Sequence, residues 1–416
     1  MIKKLFTQIN NEWHSNLWMI IELLLVSVVM WYIVDYMYVK VAVYNQPRGF
    51  DTSHCYLVKM SYLSKKSPDW IPNDTLMKEN IKDLVDRIRH RPDVEAVGLG
   101  QNSYPYNGSN STTIVSIDTL NSPEWTIRRF VTPDFIRVFR YEGTRGETPE
   151  QLAEMLDNKT FFASDNIYKE QYGKQLTPYV GKRFHWGGYD NDTTQTYKLG
   201  AALKVIRYSD HMEACSSYSM LALLPEDWYS TDLELCVRVK EGQDVDFIER
   251  FKADSEKQYR IGNIFISSIR SFKDIRRNFQ QSQTNDIRNY LFGMGFLLLN
   301  IFLGLLGTFW FRTQQRRGEI ALHKALGGTM RDVFVRQLVE GIFLLIIATI
   351  PAIIIDWNIA NEELNAHMNF TTLEPIRFIV TVSISFLLIA LMILVGIWIP
   401  ASKAMKVQPA EALHNE

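Results

Sequence analysis

Four long apolar segments restrict this chain to membrane-spanning folds. They cover residues 17–39, 291–311, 338–355 and 378–400. Crossing the hydrocarbon core of a bilayer takes about 20 apolar residues, whereas runs of about 10–14 are typical of buried core helices. We therefore predict four transmembrane helices. The roughly 250 residues of mixed composition between the first and second segments are enough for one large or two small domains.

The charges beside these segments predict how the chain is oriented. The region between the second and third segments is basic, and its charged residues are Arg312, Arg316, Arg317, Glu319, Lys324, Arg331, Asp332 and Arg336. The loop between the third and fourth segments is acidic. Because cytosolic loops carry the excess of Lys and Arg, we expect both termini and loop 313–332 in the cytosol. Residues 40–270 then lie on the outer side. The first segment lacks a small-residue cleavage site, so we expect a retained anchor.

The N-terminal part contains an amphipathic pattern and two acidic residues within the first span. Residues 1–16 place apolar side chains at helical spacing, which predicts a helix in the cytosolic membrane interface. Glu22 and Asp35 lie near the ends of the span. We therefore expect them to snorkel or to lie at the interface rather than to form a proton relay.

The outer domain, 40–270, shows an α+β pattern. A strand at 56–60, a helix at 76–90 and a strand at 94–99 follow one another, and Pro92 cannot continue the helix. Three cysteines, Cys55, Cys215 and Cys236, fall in this domain. An odd number is not a disulfide framework, so a Cys215–Cys236 bridge and three free buried thiols both remain open.

A long helix is predicted to enter the second span. Ser271 and Asp274 have the spacing of a capping box, and no proline occurs between Pro225 and Pro351. A helix over 271–312 would be about 60 Å long, roughly twice the hydrocarbon thickness, and its outer part would form a stalk. The alternative is a helix that breaks near Asn285. The stalk stripe consists of Phe272, Ile275, Phe279, Ile287 and Tyr290.

The cytosolic loop 313–332 contains a short charged helix that Gly327 and Gly328 are suited to end. Its helix could bind a cytosolic partner, or the segment could form a turn at the membrane interface that basic residues stabilise. No phosphate-binding loop, nucleophile elbow or zinc-protease motif occurs in the sequence, so we expect no catalytic activity, cofactor or metal. The spacing of His211, Glu213 and Cys215 is a weak zinc pattern because a fourth ligand is missing.

Two motifs resemble those of the MacB/FtsX-type permeases of ABC transporters. The loop resembles R-R-x-E-I-x-x-x-x-A-L-G-A, with Gly328 where alanine is usual. The tail resembles P-A-x-x-A-x-x-x-x-P-x-E-A-L. Segments 132–135 and 161–173 are more diffuse matches. The matching loop residues are Arg316, Arg317, Glu319, Ile320, Ala325, Leu326 and Gly327, and those of the tail are Pro400, Ala401, Ala404, Pro409, Glu411, Ala412 and Leu413.

The resemblance implies a permease in a bacterial inner membrane whose periplasmic domain has a ferredoxin-like part and an inserted lobe at about 120–215. It implies a dimer with a second copy or a paralogue, and ATPase subunits that receive the loop helix. Many relatives carry a fused ATPase domain, so here we expect the ATPase on a separate polypeptide. The implied ATPase-coupling residues are Arg316, Arg317, Glu319, Ile320, Leu322, Lys324, Ala325, Leu326, Gly327 and Gly328.

The expected organisation follows the chain from a cytosolic helix (1–16) to a cytosolic tail (401–416). Between them lie span 1 (17–39), the periplasmic domain (40–270), stalk and span 2 (271–312), the coupling loop (313–332), span 3 (333–355), a periplasmic loop (356–377) and span 4 (378–400). The expected function is transmission of ATP-driven motion for efflux of a peptide, drug or lipid-linked substrate, with a periplasmic adaptor as a further expected partner. Lipoprotein release, regulation of cell-wall hydrolases and a lipid-binding sensor or scaffold are the alternatives.

Overall fold

The computed structural model describes residues 13–72, 75–187, 196–315 and 330–404. The chain divides into two compact units. One comprises Met1–Ala42 and Thr284–Glu416, and the other is the continuous segment Val43–Gln283. We call them the membrane unit and the α/β unit.

Four long helices form the membrane unit. They are α1 (Trp13–Tyr44), α8 (Gln281–Gln315), α9 (Met330–Asn361) and α10 (Pro375–Ala404). Each contains a stretch long and apolar enough to cross a membrane: Leu17–Tyr44, Gln281–Gly304, Phe334–Asn361 and Pro375–Trp398. The prediction of four spans is therefore confirmed, and the chain is a multi-pass membrane protein.

Buried apolar side chains hold the membrane helices together. One cluster combines Met19 and Leu23 of α1 with Leu344 of α9 and Ile389 of α10. From α8, Ile301 joins this cluster. Pro351 lies inside α9, which continues through it.

The single helix predicted over 271–312 is instead two helices. They are α7 (Phe272–Phe279) and α8, and Gln280 separates them with φ −94° and ψ 6°. Ser271 does cap α7, because its side chain accepts a hydrogen bond from the Asp274 N–H. Gln280 is buried, and its side chain interacts with Asp210 and helps to lower the pKa of that carboxyl group. A tertiary contact thus coincides with the break, which the local sequence does not reveal.

The α/β unit is built on one mixed sheet, to which the described residues contribute 11 strands. The strand bounds are β1 Cys55–Tyr62, β2 Val94–Gln101, β3 Ser111–Ile117, β4 Leu120–Asn121, β5 Thr126–Val131, β6 Thr160–Ser164, β7 Arg183–Gly187, β8 Tyr197–Leu203, β9 Ser219–Leu223, β10 Glu234–Val239 and β11 Ile264–Ser271. Their order is β11-β1-β10-β2-β5-β9-β6-β8-β7-β3-β4. The β5–β9 and β6–β8 pairs are parallel, and the other pairs are antiparallel.

Helices cover both faces of this sheet. They are α2 Met77–Arg89, α3 Pro133–Phe139, α4 Pro149–Met155, α5 Lys169–Tyr172, α6 Phe247–Gln258 and α7. Side chains alternate between faces along a strand. Val58 accordingly joins the core formed with α2 and α6, whereas Leu57 joins the core formed with α3, α4 and α7.

The first four strands in the sheet order come from the two ends of the unit. Strands β1 and β2, connected through α2, come from its start, and β10 and β11, connected through α6, come from its end. In this part the order is β11-β1-β10-β2, and all pairs are antiparallel. Residues 102–233 are inserted between β2 and β10 and extend the same sheet. The inserted lobe at about 120–215 and the ferredoxin-like assignment stay predictions.

The segment Thr132–Phe135, which resembled a family motif, starts helix α3. Thr132 lies at the N-cap, and its hydroxyl accepts a hydrogen bond from Leu99 N–H at 2.9 Å. A Cβ atom on Gly98 would lie 2.4 Å from the Phe135 Cα. Glycine therefore lets α3 pack directly on β2.

Candidate functional site

The predicted ATPase-coupling residues, Arg316 to Gly328, lie outside the described residues. The structure describes the helices on either side of them. Helix α8 ends at Gln315, and α9 begins at Met330. The role assigned to the loop therefore stays a prediction.

The predicted stalk residues are divided between two helices. Phe272 and Ile275 are buried in the core of the α/β unit, where the Phe272 ring lies edge-on to Phe139 with centroids 5.1 Å apart. Phe279 lies at the edge of the same core. Ile287 and Tyr290 belong to α8. The structure thus contains no single stripe along one helix among these five residues.

A buried carboxylate links the two ends of the α/β unit. Asp210 lies in the loop between β8 and β9, and its side chain is 1% exposed. Its Oδ1 lies 3.1 Å from Arg48 Nε, near the start of the unit, and its Oδ2 lies 2.6 Å from Arg276 Nη2, near the end. Tyr106 also donates its hydroxyl to Oδ1 at 3.0 Å. We refer to Arg48, Arg207, Asp210, Arg276 and Gln280 as the Asp210 cluster.

Arg207 fixes the end of the first helix within this cluster. Its guanidinium donates to the carbonyl oxygens of Val43 and Gln46, each at 2.8 Å. These carbonyls lie where α1 ends, and a cation near a helix C-terminus is favourable because it satisfies carbonyls left without intrahelical partners. Arg207 also donates to the carbonyl of Asp210 at 2.8 Å. The backbone N–H of Arg207 donates to the carbonyl of Arg48 at 2.9 Å, so the loop contacts the first residues of the unit through both its side chains and its backbone.

The electrostatics of the cluster favour the ionised form of Asp210. Burial alone would raise the pKa of this carboxyl group. Hydrogen bonds from Gln280 and Arg276 and the charges of Arg276 and Arg48 outweigh burial and lower its pKa. Displacing α7 from the start of the unit would break these charge-assisted bonds. The cluster therefore joins both ends of the unit to the β8–β9 loop.

Within the membrane unit, Asp35 does not snorkel, contrary to the prediction. Its side chain and that of Arg377 are each 1% exposed and form an ion pair. Arg377 Nε donates to Asp35 Oδ1 at 2.8 Å, and its Nη2 donates to Oδ2. Asn365 donates a further hydrogen bond to Oδ2 at 2.9 Å. Three hydrogen bonds and the opposite charge of Arg377 compensate for the desolvation of this buried carboxylate.

Two other acidic residues of the membrane helices differ from Asp35. Glu22 is partly buried, and its Oε1 would lie 2.6 Å from a Cβ atom at Gly304. Asp356 of α9 is 2% exposed, and none of the described residues hydrogen-bonds to its Oδ1. Asp35 Oδ1 accepts a hydrogen bond from Arg377, and Asp356 Oδ1 accepts none from the described residues.

The weak zinc pattern gives no metal site. Among the described residues, no group of three His, Cys, Asp or Glu side chains is arranged to hold a metal ion. The Cys215 thiol donates to Glu213 Oε2 at 2.9 Å. Burial and this hydrogen bond raise the pKa of Cys215 to about 11, which disfavours a thiolate ligand. All three cysteines are free thiols, so the Cys215–Cys236 bridge is not formed.

The sequence analysis missed Arg207, Asp210, Arg276 and Arg377. Asp210 and Arg207 lie in a loop without a recognisable motif, so no local pattern identifies them. A pattern was available for Arg377, because it lies immediately before the fourth apolar segment while span 1 carries an acidic residue. A pair of opposite charges in different spans is a reasonable candidate for an ion pair.

Comparison with known protein families identifies part of the membrane unit. Residues 291–409 match the domain described as FtsX-like permease C-terminal. The matched range covers most of α8, all of α9 and α10, and the loop between α8 and α9. No curated protein matches the chain. The domain match supports an ABC transporter permease family, whose members generally work with an ABC ATPase.

Proposed function

We propose that this chain is the permease subunit of an ABC transporter and that it transmits ATP-driven motion to its α/β unit. The match of residues 291–409 to the FtsX-like permease domain carries this proposal. The proposal assigns ATP hydrolysis to a partner ATPase and no catalytic step to this chain. In this account, the ATPase contacts the loop that contains Arg316, Arg317 and Glu319.

The distribution of charge supports an orientation. The basic loop between α8 and α9 would lie in the cytosol, and the acidic loop between α9 and α10 would lie on the other side. The α/β unit, which the chain enters from α1 and leaves towards α8, would then be periplasmic in a bacterial inner membrane. Both termini would be cytosolic.

The Asp210 cluster supports a mechanical role for the α/β unit. The unit begins at the end of α1 and ends at the start of α8. Arg48 from its beginning and Arg276 from its end bind the same carboxylate. A relative displacement of α1 and α8 would therefore act on the β8–β9 loop and, through it, on the sheet. In the proposed cycle, ATP-driven closure of two permease copies causes this displacement.

The substrate that we propose is a peptide, drug or lipid-linked molecule that leaves the cell by efflux. In this proposal the periplasmic domain serves efflux, as in MacB-type permeases, and does not regulate cell-wall hydrolases as in the FtsX form. The proposed assembly contains a second copy or a paralogue and a periplasmic adaptor. The length of the unit Val43–Gln283 favours this alternative over the small FtsX form that regulates cell-wall hydrolases.

Affinity purification tests the proposal. A tagged full-length chain, extracted in mild detergent from its native membrane, is expected to co-purify with an ABC ATPase. Glu319→Lys reverses a charge in the loop proposed to bind the ATPase and should reduce the amount recovered. Glu362→Lys makes the same change in the loop between α9 and α10 and is the matched control. Absence of an ATPase from the wild-type preparation, or equal loss in both variants, would contradict the proposal.

A further inference from the structure

The buried ion pair between Asp35 and Arg377 joins helices that are far apart in sequence. Asp35 belongs to α1, and Arg377 lies in the first turn of α10. Both side chains are removed from solvent and bonded to each other through two nitrogens of the guanidinium group. Arg377 also donates to the carbonyl of Ala366 at 2.6 Å. We refer to Asp35, Asn365 and Arg377 as the Asp35 cluster.

The loop between α9 and α10 is part of the same network. Asn365 donates to Asp35 at 2.9 Å and to the carbonyl of Thr372 at 3.1 Å. Thr372 in turn donates its hydroxyl to the carbonyl of Ala360, near the end of α9, at 2.8 Å. One carboxylate of α1 is thus connected by hydrogen bonds to α10, to the loop and to α9.

A second set of contacts joins α1 and α10 about one turn away. Trp31 Nε1 donates to the Thr381 hydroxyl at 3.0 Å, and the Trp31 ring lies 5.6 Å from that of Phe378. Trp31 is 1% exposed and packs with Phe378 and Ala360. Because Trp31 and Asp35 are four residues apart, they lie on the same face of α1. This face is therefore fixed to the α9–α10 hairpin at two levels.

Helix α8 is held differently. Its contacts with α1 include the stacked rings of Tyr290 and Tyr36, with centroids 4.1 Å apart, and Gly304 beside Glu22. Of the apolar stretch of α8, 6% is buried inside the structure, compared with 39%, 33% and 28% for the stretches of α1, α9 and α10. Many large apolar side chains of α8 are exposed outside the bundle, including Leu291, Phe292, Phe296, Leu299, Leu303 and Phe311.

We propose that the Asp35 cluster makes α1, α9 and α10 one rigid body and leaves α8 as the helix that moves against it. Arg377 is a positioning residue in this arrangement, because it acts through Asp35 on the placement of α1. The rigid body is a property of the permease chain itself. The role of this α8 movement in transport rests on the proposed function.

Spin-label distances in lipid nanodiscs test the rigid body without an ATPase. Labels are attached to exposed sites in a Cys215→Ser background, since Cys55 and Cys236 are buried. The pair Leu25→Cys and Leu387→Cys reports on α1 and α10, and the pair Phe292→Cys and Leu387→Cys reports on α8 and α10. We expect a narrow α1–α10 distance distribution and a broader α8–α10 distribution.

Two double variants keep the test informative if single charge removal prevents folding. Asp35→Leu with Arg377→Met removes both charges and should broaden the α1–α10 distribution while the protein remains monodisperse. Asp35→Arg with Arg377→Asp exchanges the charges and should restore part of the narrow distribution. The α8–α10 distribution should change less than the α1–α10 distribution in the neutral double variant.

An α1–α10 distribution that stays as narrow in the neutral double variant as in the wild type would overturn the proposal. So would an α8–α10 distribution narrower than that of α1–α10 in the wild type. Because the nanodiscs contain only this chain, neither outcome bears on whether it binds an ATPase. Failure of the rigid body and failure of the proposed function are therefore distinguishable.

Discussion

Arg377 Nε lies 2.8 Å from Oδ1 of Asp35, and this bond connects residues 342 positions apart in the sequence. Both side chains are buried, so the pair is shielded from water. The energetic consequence is asymmetric. Removing one partner leaves an uncompensated buried charge, whereas removing both leaves apolar groups in an apolar environment.

This asymmetry predicts the outcome of a double-mutant cycle. Asp35→Leu alone is expected to lower the stability of the full-length protein in detergent by about 3–5 kcal/mol, because Arg377 loses its carboxylate. Adding Arg377→Met should recover most of that loss. The melting temperatures of the four proteins measure the cycle. Additive losses in the double variant would show that the two side chains do not interact.

Asp356 is expected to behave in the opposite way. It is 2% exposed, and its Oδ1 has no hydrogen-bond partner in the part of the chain that the structure describes. Replacing an unpaired buried carboxyl by an apolar side chain of similar size removes a desolvation penalty of about 1–3 kcal/mol. Asp356→Leu should therefore leave the melting temperature unchanged or raise it. A loss as large as that of Asp35→Leu would indicate that Asp356 has a stabilising partner.

The Asp210 cluster predicts a pH dependence of stability. The folded-state pKa of Asp210 is lowered, so its ionised form stabilises the fold. This contribution is complete above the unfolded value of about 3.9 and is lost as the pH falls through the lower folded value. Asp210→Asn should cost about 2–3 kcal/mol at neutral pH, reduced by solvent screening because Arg48 and Arg276 are partly exposed.

Melting temperatures of wild type and Asp210→Asn, compared between neutral pH and about pH 3, check this prediction. The difference between the two proteins should be constant above about pH 5 and should shrink below about pH 4. Asp232 is exposed, so the variant Asp232→Asn is the matched control. A difference that grows on acidification would contradict the assigned direction of the pKa shift.

Much of the membrane unit could be predicted from the sequence, because apolar length is a local property. Each of the four predicted apolar segments overlaps one long helix. The placement of Asp35 could not be predicted, since its burial depends on Arg377 and Asn365, which only packing brings near. The position of Asp35 near the end of the span predicted that it would lie at the membrane interface. In the structure it is buried instead, because it forms an ion pair with Arg377.

The break at Gln280 has a similar origin. Capping and apolar spacing correctly predicted a helix start at Ser271, and the sequence between Ser271 and α8 contains neither proline nor glycine. The backbone nevertheless leaves the helical conformation at Gln280, whose side chain interacts with Asp210, 70 positions earlier in the chain. Local propensity cannot include such a contact. For the candidate site, local motifs predicted the coupling loop but not the Asp210 cluster.

The start of α8 offers a test of mechanical continuity. A flexible Gly-Ser segment inserted after the exposed Ser282 should leave ATP hydrolysis by the complex intact and abolish nucleotide-dependent movement of the α/β unit. A flexible linker cannot transmit displacement as a helix does. The same insertion after Gly108, whose surroundings are open, is the control and should preserve movement. Full movement in the Ser282 insertion would show that α8 is not the transmitting element.

The most direct test of transmission is the distance between the α/β unit and the membrane unit during the ATPase cycle. Spin labels at Val245→Cys and Leu364→Cys, which are 75% and 64% exposed in the native side chains, report on the two units in a Cys215→Ser background. The complex with its ATPase is measured without nucleotide and after trapping with ATP and vanadate. We predict that trapping shifts the distance distribution. An identical distribution in both states, in a complex that hydrolyses ATP, would contradict the transmission of motion to the α/β unit.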